Sequence, residues 1–237
     1  MQLRGLKREP LHWDARGPEG PNSTRWKRRH SILAVLLATY LLCYMDRMAI
    51  ATAIPFIARE FGLSPLGMGG VLSAFFMSYA VMQFPGGLLA DKFGPRPVMA
   101  ASVAGWSLFT LLTGVAGSIT SLLWIRFLFG LSEGSFSPSA SKTVALCFPP
   151  GSVGRANGLQ LAAMQIGAAA SPLFVSWVIA VRGWRAVFFS LFAPGVILTV
   201  LVLTIVKVVN SSEKVHVDSA EHPPTPTSVV LRTGPIR

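Results

Sequence analysis

The sequence has few charged side chains, few cysteines and no histidine within its apolar stretches, and each shortage excludes a class of protein. Only 13% of its 237 residues are Asp, Glu, Lys or Arg, about half the share of a soluble domain. The two cysteines, Cys43 and Cys147, offer neither a disulfide framework nor the spacing of metal ligands. All four histidines lie outside the apolar runs. We therefore predict no cofactor, no metal site and no enzymatic activity.

Apolar sequence is what the chain has in abundance, with 51% hydrophobic residues and a mean hydropathy of +0.53. A helix that crosses a bilayer needs about 20 apolar residues. We predict an all-α membrane protein, a six-helix bundle over residues 31–209, between a basic N-terminal tail (1–30) and a proline-containing C-terminal tail (210–237) that we expect to be disordered. The six predicted spans are 31–57, 66–89, 97–117, 119–142, 156–180 and 186–208.

Basic residues are distributed unevenly between the predicted loops. Sixteen Lys and Arg residues fall in the two tails and the 2–3 and 4–5 loops, if Lys142 and Lys207 at the bordering span ends are included, against three in the 1–2 and 5–6 loops. Positive residues collect on the cytoplasmic side of membrane proteins. This asymmetry predicts that both termini are cytoplasmic, at the cell inner membrane, and it explains the net charge of +11 without a nucleic-acid partner.

Two pairs of charges lie inside predicted spans. Asp46 and Arg47 are the only charges in the first span, and Arg126 and Glu133 lie two turns apart in the fourth. A charge at this depth costs roughly 2.5–3.5 kcal/mol on insertion scales, so it points to a functional site. A helical rise of 1.5 Å per residue puts all four about 11–21 Å below the outer surface. We predict that they line one cavity; the alternative is an ion network that only joins the first and fourth helices.

Two uncharged polar residues reach a similar depth. Tyr79 in the second span and Gln165 in the fifth could each donate a hydrogen bond to a hydroxyl-bearing ligand. Each could equally bond to a neighbouring helix, and the sequence leaves both interpretations open.

The 2–3 loop is a glycine turn with mixed charges. It contains Gly87, Asp91, Lys92, Gly94 and Arg96. An acid followed by bases in such a turn can cap helix ends and pair across a cytoplasmic gate.

These residues carry a family resemblance that covers residues 31–209. The spacing Gly87-x-x-x-Asp91-Lys92-x-Gly94-x-Arg96 resembles the signature loop of the major facilitator superfamily. Three further segments resemble the anion:cation symporter branch of this superfamily, which includes galactonate, glucarate and hexuronate transporters. The segments are Tyr44-x-Asp46-Arg47-x-x-Ile50-x-x-Ala53-x-Pro55-x-Ile57, Arg126-x-x-x-Gly130-x-x-Glu133-Gly134 and Gly183-Trp184-Arg185.

The resemblance implies proton-coupled symport of an organic anion, specifically a sugar acid such as a hexonate, hexarate or hexuronate. It implies that Arg47 binds the substrate carboxylate and that Asp46 and Glu133 take part in proton coupling. The remaining residues of the predicted substrate site are Tyr44, Tyr79, Arg126 and Gln165.

The family has twelve helices, whereas this sequence contains six. We expect a small organic anion, protons and the lipid bilayer as partners, together with a second six-helix half or self-association. Two alternatives stay open: a non-transporting membrane fragment, and a facilitator for another carboxylate such as a dicarboxylate or an aromatic acid.

Overall fold

The computed structural model describes residues 24–206, with side chains from residue 28. This part of the chain contains seven helices and no strand. The all-α prediction is confirmed, and most of both predicted tails lies outside the described residues. The first helix begins at Thr24, earlier than the predicted residue 31. The helices are α1 Thr24–Phe61, α2 Pro65–Phe93, α3 Pro95–Gly114, α4 Ile119–Gly134, α5 Phe136–Cys147, α6 Pro150–Arg182 and α7 Trp184–Ile205.

Five of these helices, α1, α2, α3, α6 and α7, are long and apolar enough to cross a membrane. The fourth predicted span differs, because the structure divides it at Ser135 into α4 and α5. Pro138 lacks an N–H and its ring crowds the carbonyl of Gly134, four residues earlier, which breaks the helix there. Ser102 of α3 stabilises the break by donating to the Ser132 carbonyl oxygen, and its Oγ lies 3.1 Å from Ser135 Oγ.

The connections between helices are short and contain specific end signals. Ser64 caps α2 by accepting from the Gly67 N–H at 3.2 Å, and Ser118 and Ser121 form a capping box at α4. Gly94, with φ of 86°, alone separates α2 from α3. The predicted 2–3 loop is therefore mostly helical: Asp91 and Lys92 lie in the last turn of α2.

Helices pack most extensively in the pairs α1/α6, α2/α4 and α3/α7. In span order, α1 and α6 are the first and fifth spans, and α4 and α2 belong to the fourth and second. Exchanging the first three spans with the last three therefore converts one packed pair into the other, which indicates an internal pseudo-symmetry of the bundle. Close backbone approach depends on glycine in both pairs. A Cβ on Gly167 would collide with the Leu41 carbonyl of α1, and one on Gly130 would collide with Ser78 and the Phe75 carbonyl of α2.

Several helices, α2 and α6 among them, carry large apolar surfaces that the bundle leaves exposed. The exposed side chains include Phe76, Met77, Val81, Phe84 and Leu88 on α2, and Leu161, Ile166, Leu173, Trp177 and Val181 on α6. Apolar patches of this extent are rare on soluble monomers and are typical of surfaces that contact lipid or another protein.

Candidate functional site

The charged side chains of α1 and α4 meet inside the bundle. Asp46, Arg126 and Glu133 are each at most 2% exposed, and the Arg47 side chain is 11% exposed. Asp46 and Arg47 are adjacent, so their side chains leave α1 about 100° apart. They consequently contact different helices, and the cluster divides into two parts.

The first part is an ion pair between Arg47 of α1 and Glu133 of α4. Arg47 donates to Glu133 Oε1. The Cys43 thiol, one turn earlier on α1, donates to the same oxygen at 3.2 Å. The second carboxylate oxygen, Oε2, is buried and has no hydrogen-bond partner within the described residues. Arg47 is therefore held by an acid that another anion would have to displace.

Aromatic rings surround the guanidinium of Arg47. Its Cζ lies 4.7 Å from the ring centroid of Tyr44, 4.5 Å from that of Tyr79 and 5.1 Å from that of Phe75. Tyr44 and Tyr79 were predicted site residues, but Phe75 was missed. Its position one turn before Tyr79 on α2 was the signal available in the sequence. Rings at these distances attract the cation and fix its plane.

The second part of the cluster involves threonines of α3. Thr110 donates to Asp46 Oδ2 at 3.3 Å, and Arg126 donates to Thr113 Oγ1 at 2.5 Å. Asp46 and Arg126 form no direct ion pair in the described part of the chain, but their opposite charges lie close enough to attract each other. Both threonines were missed, because a threonine in an apolar helix carries no distinctive sequence signal.

Phenylalanine rings complete the environment of Arg126. Its Cζ lies 4.6 Å from the ring centroid of Phe129 on α4 and 5.7 Å from that of Phe188 on α7. Asp46 Oδ1 and Arg126 Nε are buried without a partner in the described part of the chain. Nearly all buried polar groups in proteins are hydrogen-bonded, so these atoms mark a polar region with unused bonding capacity.

Gln165 is exposed on α6, and the structure gives it no contact with the charged cluster. Instead, α6 approaches the site through Ser171, whose hydroxyl donates to the Met45 carbonyl at 2.8 Å. The role of Gln165 in substrate binding stays a prediction.

At the sequence predicted to form the cytoplasmic gate, α2 and α3 form hydrogen bonds with other helices. Lys142 of α5 donates to Asp91 Oδ1 at 2.7 Å and to the Ala90 carbonyl at 3.0 Å. Arg96 donates to the Leu203 carbonyl of α7. A Cβ added at Gly87 would lie 3.9 Å from the Cβ of Pro138. Lys92 Nζ lies 5.3 Å from the ring centroid of Phe93.

At the opposite end, an acid and an arginine connect the end of α1, the start of α7 and the α3–α4 connection. Glu60, at the end of α1, accepts from Trp184 Nε1 at 2.8 Å and from Arg185 at 2.7 Å. Arg185 also donates to the Ala116 carbonyl at 3.2 Å, in the α3–α4 connection. We call Glu60, Trp184, Arg185 and Ala116 the outer clamp.

Metal binding has no support in the described residues, where no three His, Cys, Asp or Glu side chains are grouped suitably. The apolar helices, with a charge cluster buried between them, define a multi-pass membrane protein.

The family model of the Major Facilitator Superfamily matches residues 36–236, and the chain belongs to this superfamily. It is 39% identical to the "Probable sulfoacetate transporter" of Cupriavidus necator over 177 residues, 75% of this chain and 41% of that protein. It is 32% identical to the "Probable galactarate/D-glucarate transporter" of Escherichia coli over 204 residues, 84% of this chain and 45% of that protein.

Among solved structures, a bacterial homologue of the human lysosomal transporter Spinster, inward-facing and unoccupied, superposes with a TM-score of 0.70. It is 25% identical in sequence, and the match covers 77% of this chain and 44% of that chain. The chain thus spans less than half the length of these relatives.

Proposed function

We propose that this chain binds a small organic anion as the N-terminal half of a proton-coupled transporter, with a sugar acid as substrate. The observation that carries the proposal is the environment of Arg47. Three rings fix its guanidinium, and its only ion-pair partner within the described residues is the titratable Glu133. A fixed guanidinium presents parallel N–H groups that match a carboxylate in a bidentate manner.

Competition for Arg47 couples anion binding to protons. Glu133 is ionised when it pairs with Arg47, so a substrate carboxylate must displace it from the same guanidinium. Protonation of Glu133 removes its charge and frees Arg47 for the substrate. A proton and an anion therefore enter together, which is the requirement for symport. Asp46, the second acid of the cluster, is the second proton-coupling candidate.

The remaining predicted residues suit the hydroxyl groups of a sugar acid. Tyr44 and Tyr79 line the Arg47 site with phenol groups, and Gln165 is exposed on α6, where a second half of the transporter would face it. Arg126 supplies a second cation for a dianion. Gly87, Asp91, Lys92, Gly94 and Arg96 would form the cytoplasmic gate.

A shorter dianion is a second candidate substrate. The relative described as a sulfoacetate transporter is 39% identical to this chain, against 32% for the galactarate/D-glucarate relative. Two arginines in one cluster, Arg47 and Arg126, support binding of a molecule that carries both a carboxylate and a sulfonate.

The membrane orientation belongs to the same proposal. The basic tails and inner turns support an orientation with both termini in the cytoplasm, in the cell inner membrane. In transporters with parallel repeats the substrate site lies between two halves. A second six-helix half would cover the exposed faces of α2 and α6, with a second copy of this chain as the alternative partner.

The test is anion binding to the purified chain in lipid discs as a function of pH. Galactarate, galactonate, a hexuronate and sulfoacetate are each titrated by isothermal calorimetry. We expect tighter binding at lower pH, and Glu133→Gln should bind equally at all pH values, at the level of the wild type at low pH. Glu60→Gln, an acid paired with arginine outside the site, should keep the wild-type pH dependence. An unchanged pH dependence in Glu133→Gln would remove the proton role from Glu133.

A further inference from the structure

The carboxylate of Glu133 is held asymmetrically. Its Oε1 accepts from two donors of α1, the Arg47 guanidinium and the Cys43 thiol at 3.2 Å. Its Oε2 is buried and has no partner within residues 28–206. The two oxygens of one carboxylate therefore have different capacities for accepting a proton.

The thiol is placed for this contact by the helix. Cys43 and Arg47 are four residues apart on α1, so their side chains share a face. Cys43 is 3% exposed and forms no disulfide. The charged or titratable side chains around Glu133 are Cys43, Tyr44, Asp46 and Arg47 of α1 and Arg126 of α4. Tyr79 of α2 lies against the Arg47 guanidinium.

The asymmetry determines where a proton binds. Both donors point at Oε1, so a proton from solvent adds to Oε2. Oε1 then becomes the carbonyl oxygen of a neutral carboxylic acid, and a carbonyl oxygen still accepts a hydrogen bond from a thiol. The contact with Cys43 can persist after Arg47 leaves.

Resting on the proposed function, we infer that Cys43 is a positioning residue for the proton-coupled exchange of Arg47. Its thiol retains Oε1 when Glu133 is neutral, so the acid does not follow Arg47. Without the thiol, the neutral carbonyl has only Arg47 as a donor and continues to compete with the substrate. The inference concerns this hydrogen bond, and it predicts an effect at low pH only.

Infrared spectroscopy of the chain in lipid discs tests the contact directly. The chain has two cysteines, so in Cys147→Ala the S–H stretching band belongs to Cys43 alone. We expect this band at the low frequency of a hydrogen-bonded thiol, and at a higher frequency when Glu133→Leu is added. As the pH falls, it should shift at the pH where the carboxyl C=O band of Glu133, assigned by its loss in Glu133→Gln, appears. A band that responds neither to Glu133→Leu nor to this protonation would overturn the inference.

The second arm compares anion affinity at high and low pH in Cys43→Ala and Cys43→Ser. Cys43→Ala should weaken binding about two- to tenfold at low pH, the effect of one lost neutral hydrogen bond, and leave high-pH binding unchanged. Cys43→Ser keeps a donor and should restore the wild-type profile. Equal weakening at both pH values would show a role in packing alone, and unchanged binding at both would show no role.

The two proposals fail differently. Wild-type binding that does not depend on pH contradicts the proton role of Glu133, whatever the thiol does. Wild-type binding that does depend on pH, with Cys43→Ala indistinguishable from it, contradicts only the inference about Cys43.

Discussion

Replacing Arg47 with lysine keeps the charge of the proposed anion site and removes its geometry. Lysine is a point charge on a flexible stem, whereas arginine presents a planar fork. The substitution should remove one of two charge-assisted hydrogen bonds to the carboxylate, worth about 1.5–3 kcal/mol. It also weakens the contacts with three rings that lie 4.5–5.1 Å from the guanidinium, worth about 0.5–1 kcal/mol.

These losses total roughly 2–4 kcal/mol, so the dissociation constant should rise about 30- to 1,000-fold. The assay is calorimetric titration of the chain in lipid discs with galactarate and sulfoacetate, at low pH where Glu133 competes least. Lysine can still pair with Glu133, so the variant keeps a compensated charge in the bundle and should fold.

Arg185→Lys is the matched control. Arg185 also pairs with a carboxylate and stacks on a ring, with its Cζ 4.3 Å from the centroid of Trp184, but it lies in the outer clamp. Its replacement should leave the anion affinity within a factor of about two. An affinity that falls less than threefold in Arg47→Lys would show that the anion binds elsewhere.

Three further predictions concern packing, the outer clamp and transport. Gly167→Ala should lower the melting temperature, because overpacking against the Leu41 backbone costs about 1–3 kcal/mol and exceeds the helix-propensity gain of about 1 kcal/mol. The control Gly158→Ala, with open space around its Cβ, should not lower the melting temperature. Equal effects of the two substitutions would contradict the packing argument. Glu60→Ala should destabilise by about 1 kcal/mol in a thermal melt, since it leaves the Trp184 and Arg185 donors without their acceptor; an unchanged melt would mean that the clamp contributes nothing. The chain reconstituted alone should not accumulate galactonate, whereas a fusion to the second half of the galactarate/D-glucarate relative is the positive control; uptake by a discrete dimer of this chain would refute the prediction.

The sequence predicted those features that depend on local periodicity. Apolar runs located the helices, and Arg126 and Glu133, two turns apart in the sequence, are both buried in α4. The break at Ser135 was missed, although Pro138 and Gly134 have the required spacing. The helical position of Asp91 was also missed, since Gly94 alone forms the turn.

The partners within the cluster could not be predicted, because they depend on how helices rotate against one another. Arg47 pairs with Glu133 and not with the adjacent Asp46, which instead accepts from Thr110. Thr110 of α3 becomes recognisable only in the folded bundle, where its hydroxyl reaches Asp46 of α1. Gln165 has suitable depth but is exposed on α6, since depth along a helix axis does not specify direction around it.

The outer clamp has a mechanical consequence for the whole bundle. Glu60, Trp184, Arg185 and the Ala116 carbonyl connect the ends of α1, α3 and α7 at one rim. Helices pinned together at one end cannot splay there independently, so a force on one is transmitted to the others as torque. The bundle should therefore tilt as one rigid body, and the displacement of its helices should grow toward the opposite rim, where Lys142 and Asp91 lie. A movement of a fraction of an ångström beside the clamp would then open a gap several times wider at the far end, between this bundle and the proposed second half.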